Sequence, residues 1–164
     1  MSFKVHFGLD ELRDISNERV SVRAVVKNRN KFLMISTKRG DLIFPGGRIE
    51  AEESYVEAVE RELLEETGYI STSEPKYLGE IVNIRKDRFD KDKLYKSTMH
   101  FFLCEVGNES RKKSLSNRER DLNLEPIWLE DPEIIEINQK YDKTMAVENV
   151  LSMTTEFIIS KFLY

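Results

Sequence analysis

Apolar residues recur along the chain with two different periods, and the switches between them mark the elements. Val20 to Val26 and Phe32 to Ser36 are rich in β-branched and aromatic side chains. The polar run Lys27-Asn28-Arg29-Asn30-Lys31 between them predicts a hairpin. Leu42-Ile43-Phe44 then leads into Pro45-Gly46-Gly47, where glycine tolerates the positive φ that a sharp bend needs. A helix is predicted next. Ser54 and Glu57 stand at capping-box spacing and Gly68 sits where a C-terminal cap belongs, so it runs from near Ser54 to near Thr67. Val56, Val59 and Leu63 form one stripe of that helix, suited to packing on a sheet. Tyr77 to Arg85 and Thr98 to Val106 read as longer strands around a charged turn, Lys86 to Lys93. Gly107 to Asn123 is polar and reads as loop, and Ile127-Trp128-Leu129 as a short strand. A final helix is expected from about Asp142 to Phe162, with Val147, Val150, Leu151, Thr154 and Ile158 on one stripe. Strands with a helix between them and another at the end predict a sheet covered by helices.

Length changes this picture little: 164 residues suit a single domain, 1–164, with a substantial core. No linker or internal repeat divides the chain. A hydrophobic fraction of 40% beside a charged fraction of 34% is ordinary for a globular protein. The net charge of −4 argues against a stable nucleic-acid partner, and makes an acidic substrate awkward without bound cations. Cys104 stands alone in an apolar run, which excludes a disulfide framework and reads as a buried thiol. With no apolar signal core at the N-terminus and no stretch of membrane-spanning length, a cytoplasmic location and no membrane partner are the expectation.

The chemistry concentrates in residues 47 to 69. Glu62, Glu65 and Glu66 fall within five positions of the predicted helix, directly after the Pro-Gly-Gly loop. Residues three and four apart meet on a helix surface, so these acids crowd and repel unless a cation lies among them. An acidic helix is usually a solvent face. Here no lysine lies a turn away to relieve the charge, and Arg61 is expected to point away from Glu62. A divalent ion such as Mg²⁺ takes a few carboxylates and completes its shell with water and phosphate oxygens. The main-chain carbonyl of Gly47 is a further candidate ligand, and Glu53 is placed to pair with Arg61 and pin the loop to the helix.

The series Gly47, Glu53, Arg61-Glu62-Leu63, Glu65-Glu66, Gly68 resembles the signature of the Nudix (MutT-like) hydrolase superfamily. The lead-in from Val20 to Phe44-Pro45-Gly46-Gly47 agrees with it, whereas Tyr69 stands where the motif has an aliphatic residue. The resemblance implies an α/β/α sandwich with a mixed β-sheet, the signature forming a loop-helix-loop. It implies water attack on the diphosphate linkage of a nucleoside diphosphate derivative, with Mg²⁺ or Mn²⁺ as cofactor. It makes Glu62, Glu65 and Glu66 metal ligands beside Gly47, with Glu53 and Arg61 as a supporting ion pair. The general base in such enzymes is a helix glutamate or an acid from a distant loop. Glu119 is the candidate for the latter, its alternative being plain surface charge between Arg118 and Arg120.

Outside the motif, Arg23 is a candidate for holding a phosphate, with an edge role as its alternative. His100 is read as structural, and Phe44, Tyr77 and Phe89 as core before base-stacking residues. The cluster Arg85, Lys86 and Arg88 is read as a solvated loop. The resemblance also narrows the substrate. No proline lies between Pro75 and Pro126, no proline-rich aromatic motif follows the signature, and no tyrosine lies between Tyr77 and Tyr95. These absences disfavour ADP-ribose, NADH and dinucleoside polyphosphates in turn, leaving a nucleotide or nucleotide sugar. Two rival classes stand beside the hydrolase: a catalytically silent ligand-binding or regulatory module, and a protein-interaction domain using the acidic helix. Pairing as a homodimer through the final helix or the N-terminal segment is open to a chain of this size.

Overall fold

The structure, a computed structural model, describes residues 1–10, 14–108, 110–111, 113–145 and 150–162. Strands β1 (Phe3–Gly8) and β2 (Ile15–Val25) open the chain, followed by the short β3 (Lys27–Asn28), β4 (Lys31–Ser36), β5 (Leu42–Ile43) and β6 (Gly46–Arg48). Helix α1 (Tyr55–Thr67) precedes the long strands β7 (Lys76–Lys86) and β8 (Leu94–Leu103). Then come α2 (Asn117–Asp121), β9 (Glu125–Glu130), α3 (Asp131–Met145) and α4 (Val150–Ser160).

A mixed five-stranded sheet runs in the order β1-β7-β8-β2-β6. Its β1/β7 and β8/β2 pairs are parallel, and its β7/β8 and β2/β6 pairs antiparallel. A second sheet is built on β4, which pairs with β9 along its length and with β3 and β5 at its two ends. Period-2 alternation divides the long strands between two cores. Val22, Ala24, Leu33 and Phe102 meet Ala58, Val59 and Leu63 of α1 on one side. Phe101, Ile81 and Phe44 meet Ile134 of α3 and Ile158 and Ile159 of α4 on the other. This is the α/β/α sandwich with a mixed sheet, and α1 sits at the sheet edge formed by β2 and β6.

The capping residues of α1 behave as their spacing requires. Ser54 and Glu57 close a reciprocal capping box, and Gly68 ends the helix with φ 78°. Other expectations need correction. The strand expected at Thr98–Val106 begins earlier, at Leu94, and stops at Leu103. The polar stretch 107–123 is not all loop, because Ser116 and Glu119 repeat the same capping box and start α2. The single final helix is two, α3 and α4, with Asp142 inside the first. Val147 lies outside the described residues, as does the side chain of Val150, while Thr154 and Ile158 are buried as the stripe required. Phe3, Val5 and Phe7 point inward from β1, an edge strand not anticipated.

Candidate active site

Strand β6 carries the Pro-Gly-Gly loop past α1, and close approach is what demands glycine there. Gly47 pairs with Val22, and a Cβ on it would lie 2.7 Å from Cδ of Glu62 and overlap that carboxylate. Its φ is not positive, so close approach is the reason at Gly47, whereas Gly46 carries the positive φ (156°) expected of the loop.

Glu62 and Glu66, one turn apart, are both buried. Glu66 accepts a hydrogen bond from the Gly46 N–H (3.0 Å). Burial outweighs this and the nearby Arg23 charge, and pushes its carboxyl up to about 8. Burial likewise raises the pKa of Glu62, against the hydrogen bond from Arg61. One oxygen of Glu62, Oε2, is buried with no hydrogen-bond partner among the described residues. From the far end of the chain α2 brings in Glu119, whose carboxylate lies within 4.8 Å of those of Glu62 and Glu66. The segment that carries it is tied to α1: the Arg111 N–H donates to Gly68 O (2.6 Å) and the Ser114 N–H to Glu65 O (2.9 Å).

Glu65 lies apart from this trio. It is the more exposed acid and pairs with Arg61 at 3.2 Å. Arg61 does not point away from Glu62 as expected; its Nη1 donates to Glu62 Oε1 at 3.0 Å. Glu53 explains the reversal. It takes Nε at 2.6 Å and Nη2 at 3.0 Å, and this two-point grip swings the remaining nitrogen over the helix acids. That pair holds Glu53 below the usual carboxylate range and raises the guanidinium further. The expected Glu53–Arg61 contact is therefore present, and Arg61 also donates to Arg48 O (3.0 Å), locking loop to helix.

Arg23 lies on β2, where its Nη1 donates to Phe44 O (3.1 Å) and Gly46 O (3.4 Å). Burial lowers its pKa, but an arginine starts high enough to stay charged. It lines a cavity of about 400 Å³ together with Glu62, Glu66 and Glu119. Sequence reasoning missed the other cations on that wall, Arg19, Arg39, Arg48 and Arg118. They are scattered through the chain with no shared motif. His100 is structural: it is buried, stacked on Tyr55 at 4.4 Å and bonded to Tyr77 at 3.1 Å. Phe44 is core, Phe89 is almost fully exposed, and burial pushes the Cys104 thiol up to about 12. Tyr69 keeps its ring against Trp128, whose Nε1 donates to its hydroxyl at 3.3 Å. No helix among the described residues is long and apolar enough to cross a membrane.

An acidic loop-helix-loop wedged at the edge of a mixed sheet between two helical layers defines a class of hydrolase fold. The chain belongs to the Nudix superfamily: the NUDIX domain model matches residues 17–146. Among solved structures it is similar to a NUDIX hydrolase from Nitrosomonas europaea (24% identity, TM-score 0.56, covering 74% of this chain and 78% of that one). A MutT NUDIX hydrolase from Burkholderia pseudomallei is similar too (22% identity, TM-score 0.56, 70% and 84% covered). A MutT protein from Bacillus halodurans follows (22% identity, TM-score 0.50, 73% and 72% covered). At these identities the likeness concerns the fold. No curated protein matches the sequence.

Proposed function

We propose that this chain hydrolyses the phosphoric anhydride of a small nucleoside diphosphate derivative, with Mg²⁺ or Mn²⁺ as cofactor. The observation that carries the reading is the meeting of Glu62, Glu66 and Glu119, with a buried Glu62 oxygen that nothing among the described residues satisfies. Two carboxyls with raised pKa values and an oxygen-only donor set fit a hard divalent cation. Glu62 and Glu66, with Glu65 and the Gly47 carbonyl beside them, would hold it. When bound, the ion supplies positive charge for the phosphates and a more acidic water.

The chain's own groups divide the remaining work. Glu119 is the candidate general base, taking the proton as water attacks phosphorus; the anhydride P–O bond then breaks and the departing phosphate carries off the electron pair. Arg23 neutralises charge on the phosphoryl oxygens from the cavity wall, a contribution that is electrostatic and needs no covalent step. Glu53 and Arg61 act as positioning residues that hold Glu62 and the loop in register.

The test is release of phosphate or pyrophosphate from a panel of nucleoside triphosphates, nucleotide sugars, ADP-ribose and dinucleotides with each metal. Wild type should turn over at least one of them, and Glu119→Gln should lower kcat by about a hundredfold or more. Equal rates in EDTA and in Mg²⁺, or full activity after Glu62→Gln and Glu66→Gln, would refute the proposal. Tight binding without release would mark a binding module instead.

A further inference from the structure

The cation content of the 400 Å³ cavity is not what composition predicts. The chain has twelve arginines and fourteen lysines. Five arginines, Arg19, Arg23, Arg39, Arg48 and Arg118, line the cavity, and among the described residues no lysine does. A wall that needed only positive charge would draw on both types. The planar guanidinium fork, which matches pairs of phosphate oxygens, separates the two.

Most of this charge is uncommitted. Arg39 lies 3.9 Å from Asp41, and that acid is also held by the Thr37 hydroxyl. Arg19, Arg48 and Arg118 have no carboxylate within salt-bridge distance among the described residues. The three glutamates on the facing wall are the group assigned above to a cation. A second cleft of about 450 Å³ adjoins this cavity, shares Arg48, Glu62, Ser116 and Glu119 with it, and is lined also by Glu50, Glu65 and Arg61. Glu62 and Glu119 therefore border both spaces, while Arg19, Arg23, Arg39 and Arg118 line the first and not the second. The apolar lining of the arginine side is Ile43, Leu122 and Leu124, and no aromatic ring faces it among the described residues. Among the described residues that wall therefore offers a base no aromatic platform, and the planar groups left to stack on are the arginine forks themselves.

A single diphosphate at the acid wall would share its oxygens with the cation held there, and two phosphates cannot occupy five arginine forks. We infer, resting on the hydrolase reading above, that the arginine cavity receives phosphate groups beyond the scissile anhydride. The substrate class is one with three or more phosphates, gripped by those phosphates and largely indifferent to the base.

Calorimetric titration of the full chain in Ca²⁺ tests this without turnover, using inorganic pyrophosphate, inorganic tripolyphosphate and the triphosphates ATP, GTP, CTP and UTP. Tripolyphosphate should bind at least about tenfold more tightly than pyrophosphate, and Arg19→Gln and Arg118→Gln should each remove about tenfold of that preference. Comparing variants with wild type cancels the ligand's own affinity for calcium. The four triphosphates should agree within about threefold, as expected where no base is read. Equal affinity for the two inorganic ligands, a preference that survives both substitutions, or a base-dependent spread beyond tenfold would overturn the inference. The two readings fail separately. Tripolyphosphate binding without hydrolysis of any compound removes the enzyme and keeps the arginine site, whereas hydrolysis of diphosphate derivatives with no tripolyphosphate preference does the reverse.

Discussion

Glu66 makes the fold's stability depend on pH in a direction opposite to that of most carboxylates. Its carboxyl is raised from 4.5 to about 8 by burial. Between those values the folded chain keeps a proton that the unfolded chain has released. Stability must then fall as pH rises through that interval, by at most about 1.4 kcal/mol per pH unit for one group. Integrated over the interval, the penalty is on the order of 5 kcal/mol, a large share of the 5–15 kcal/mol typical of a domain. Glu62, raised in the same direction, adds to it.

The perturbation is Glu66→Gln, which keeps the shape and can still accept from the Gly46 N–H while removing the titration. Urea unfolding in EDTA would be followed for both proteins from pH 5 to 9. Taking the difference between them cancels other titrating groups, including His100, whose lowered pKa acts with the opposite sign. Near pH 5 the two should be about equally stable, because Glu66 is neutral there. By pH 8.5 the variant should be the more stable by about 4 kcal/mol. Added Mg²⁺ should reverse that order by stabilising only the wild type, through preferential binding to the folded state. Parallel curves across the range, in the absence of metal, would show that Glu66 is not a buried proton-holding group and would sink the reasoning.

Three further outcomes are expected. Gly47→Ala should displace the Glu62 carboxylate, reducing the Mg²⁺-induced rise in Tm by at least half while costing only about 1–3 kcal/mol of stability in EDTA; an unchanged metal response would count against the cradle. Arg61→Gln, which strips Glu53, Glu62 and Glu65 of their cation, should cost about 2–4 kcal/mol in EDTA. A double-mutant cycle with Glu53→Gln should show coupling of about 1 kcal/mol or more. Asn138→Leu should cost about 2–4 kcal/mol by urea unfolding, because it orphans the Leu42 N–H and C=O, both bonded to that side chain at 2.9 Å.

What could be read from sequence, and what could not, follows from where polar residues sit. The α1 boundaries were legible because both caps use local chemistry within four residues of the helix ends. The same capping box at Ser116 and Glu119 was equally legible and went unused, since no apolar stripe followed it. Helix α3 was hidden for a different reason. Two positions of its inner face hold buried polar groups, Asn138 on Leu42 and Thr155, and Asp142 on the Ser152 N–H. Those hydrogen bonds occupy places where periodicity looks for apolar side chains. Edge strand β1 is short, and its parallel partner lies far along the chain, so alternation at Phe3, Val5 and Phe7 had nothing local to confirm it.

At the site the divide is between helix spacing and tertiary arrival. Spacing correctly placed Glu62 and Glu66 together, but it turned Arg61 outward. That error has a cause: an ideal helix surface takes no account of Glu53, which lies before the helix and fixes Arg61 from outside. Once held there, Arg61 gives Glu65 and one oxygen of Glu62 a cation, while the other Glu62 oxygen has no hydrogen-bond partner among the described residues and Glu66 has the Gly46 N–H and the charge of Arg23 nearby. The acids are thus sorted by how far the chain satisfies them, with the Glu62 oxygen the least. A fold tolerates buried, unsatisfied acids only when its core can carry the cost, and α1 supplies that as well, burying Ala58, Val59 and Leu63 completely on its adjoining stripe. One helix therefore holds the sheet with one stripe and keeps its neighbour poised for a cation with the next.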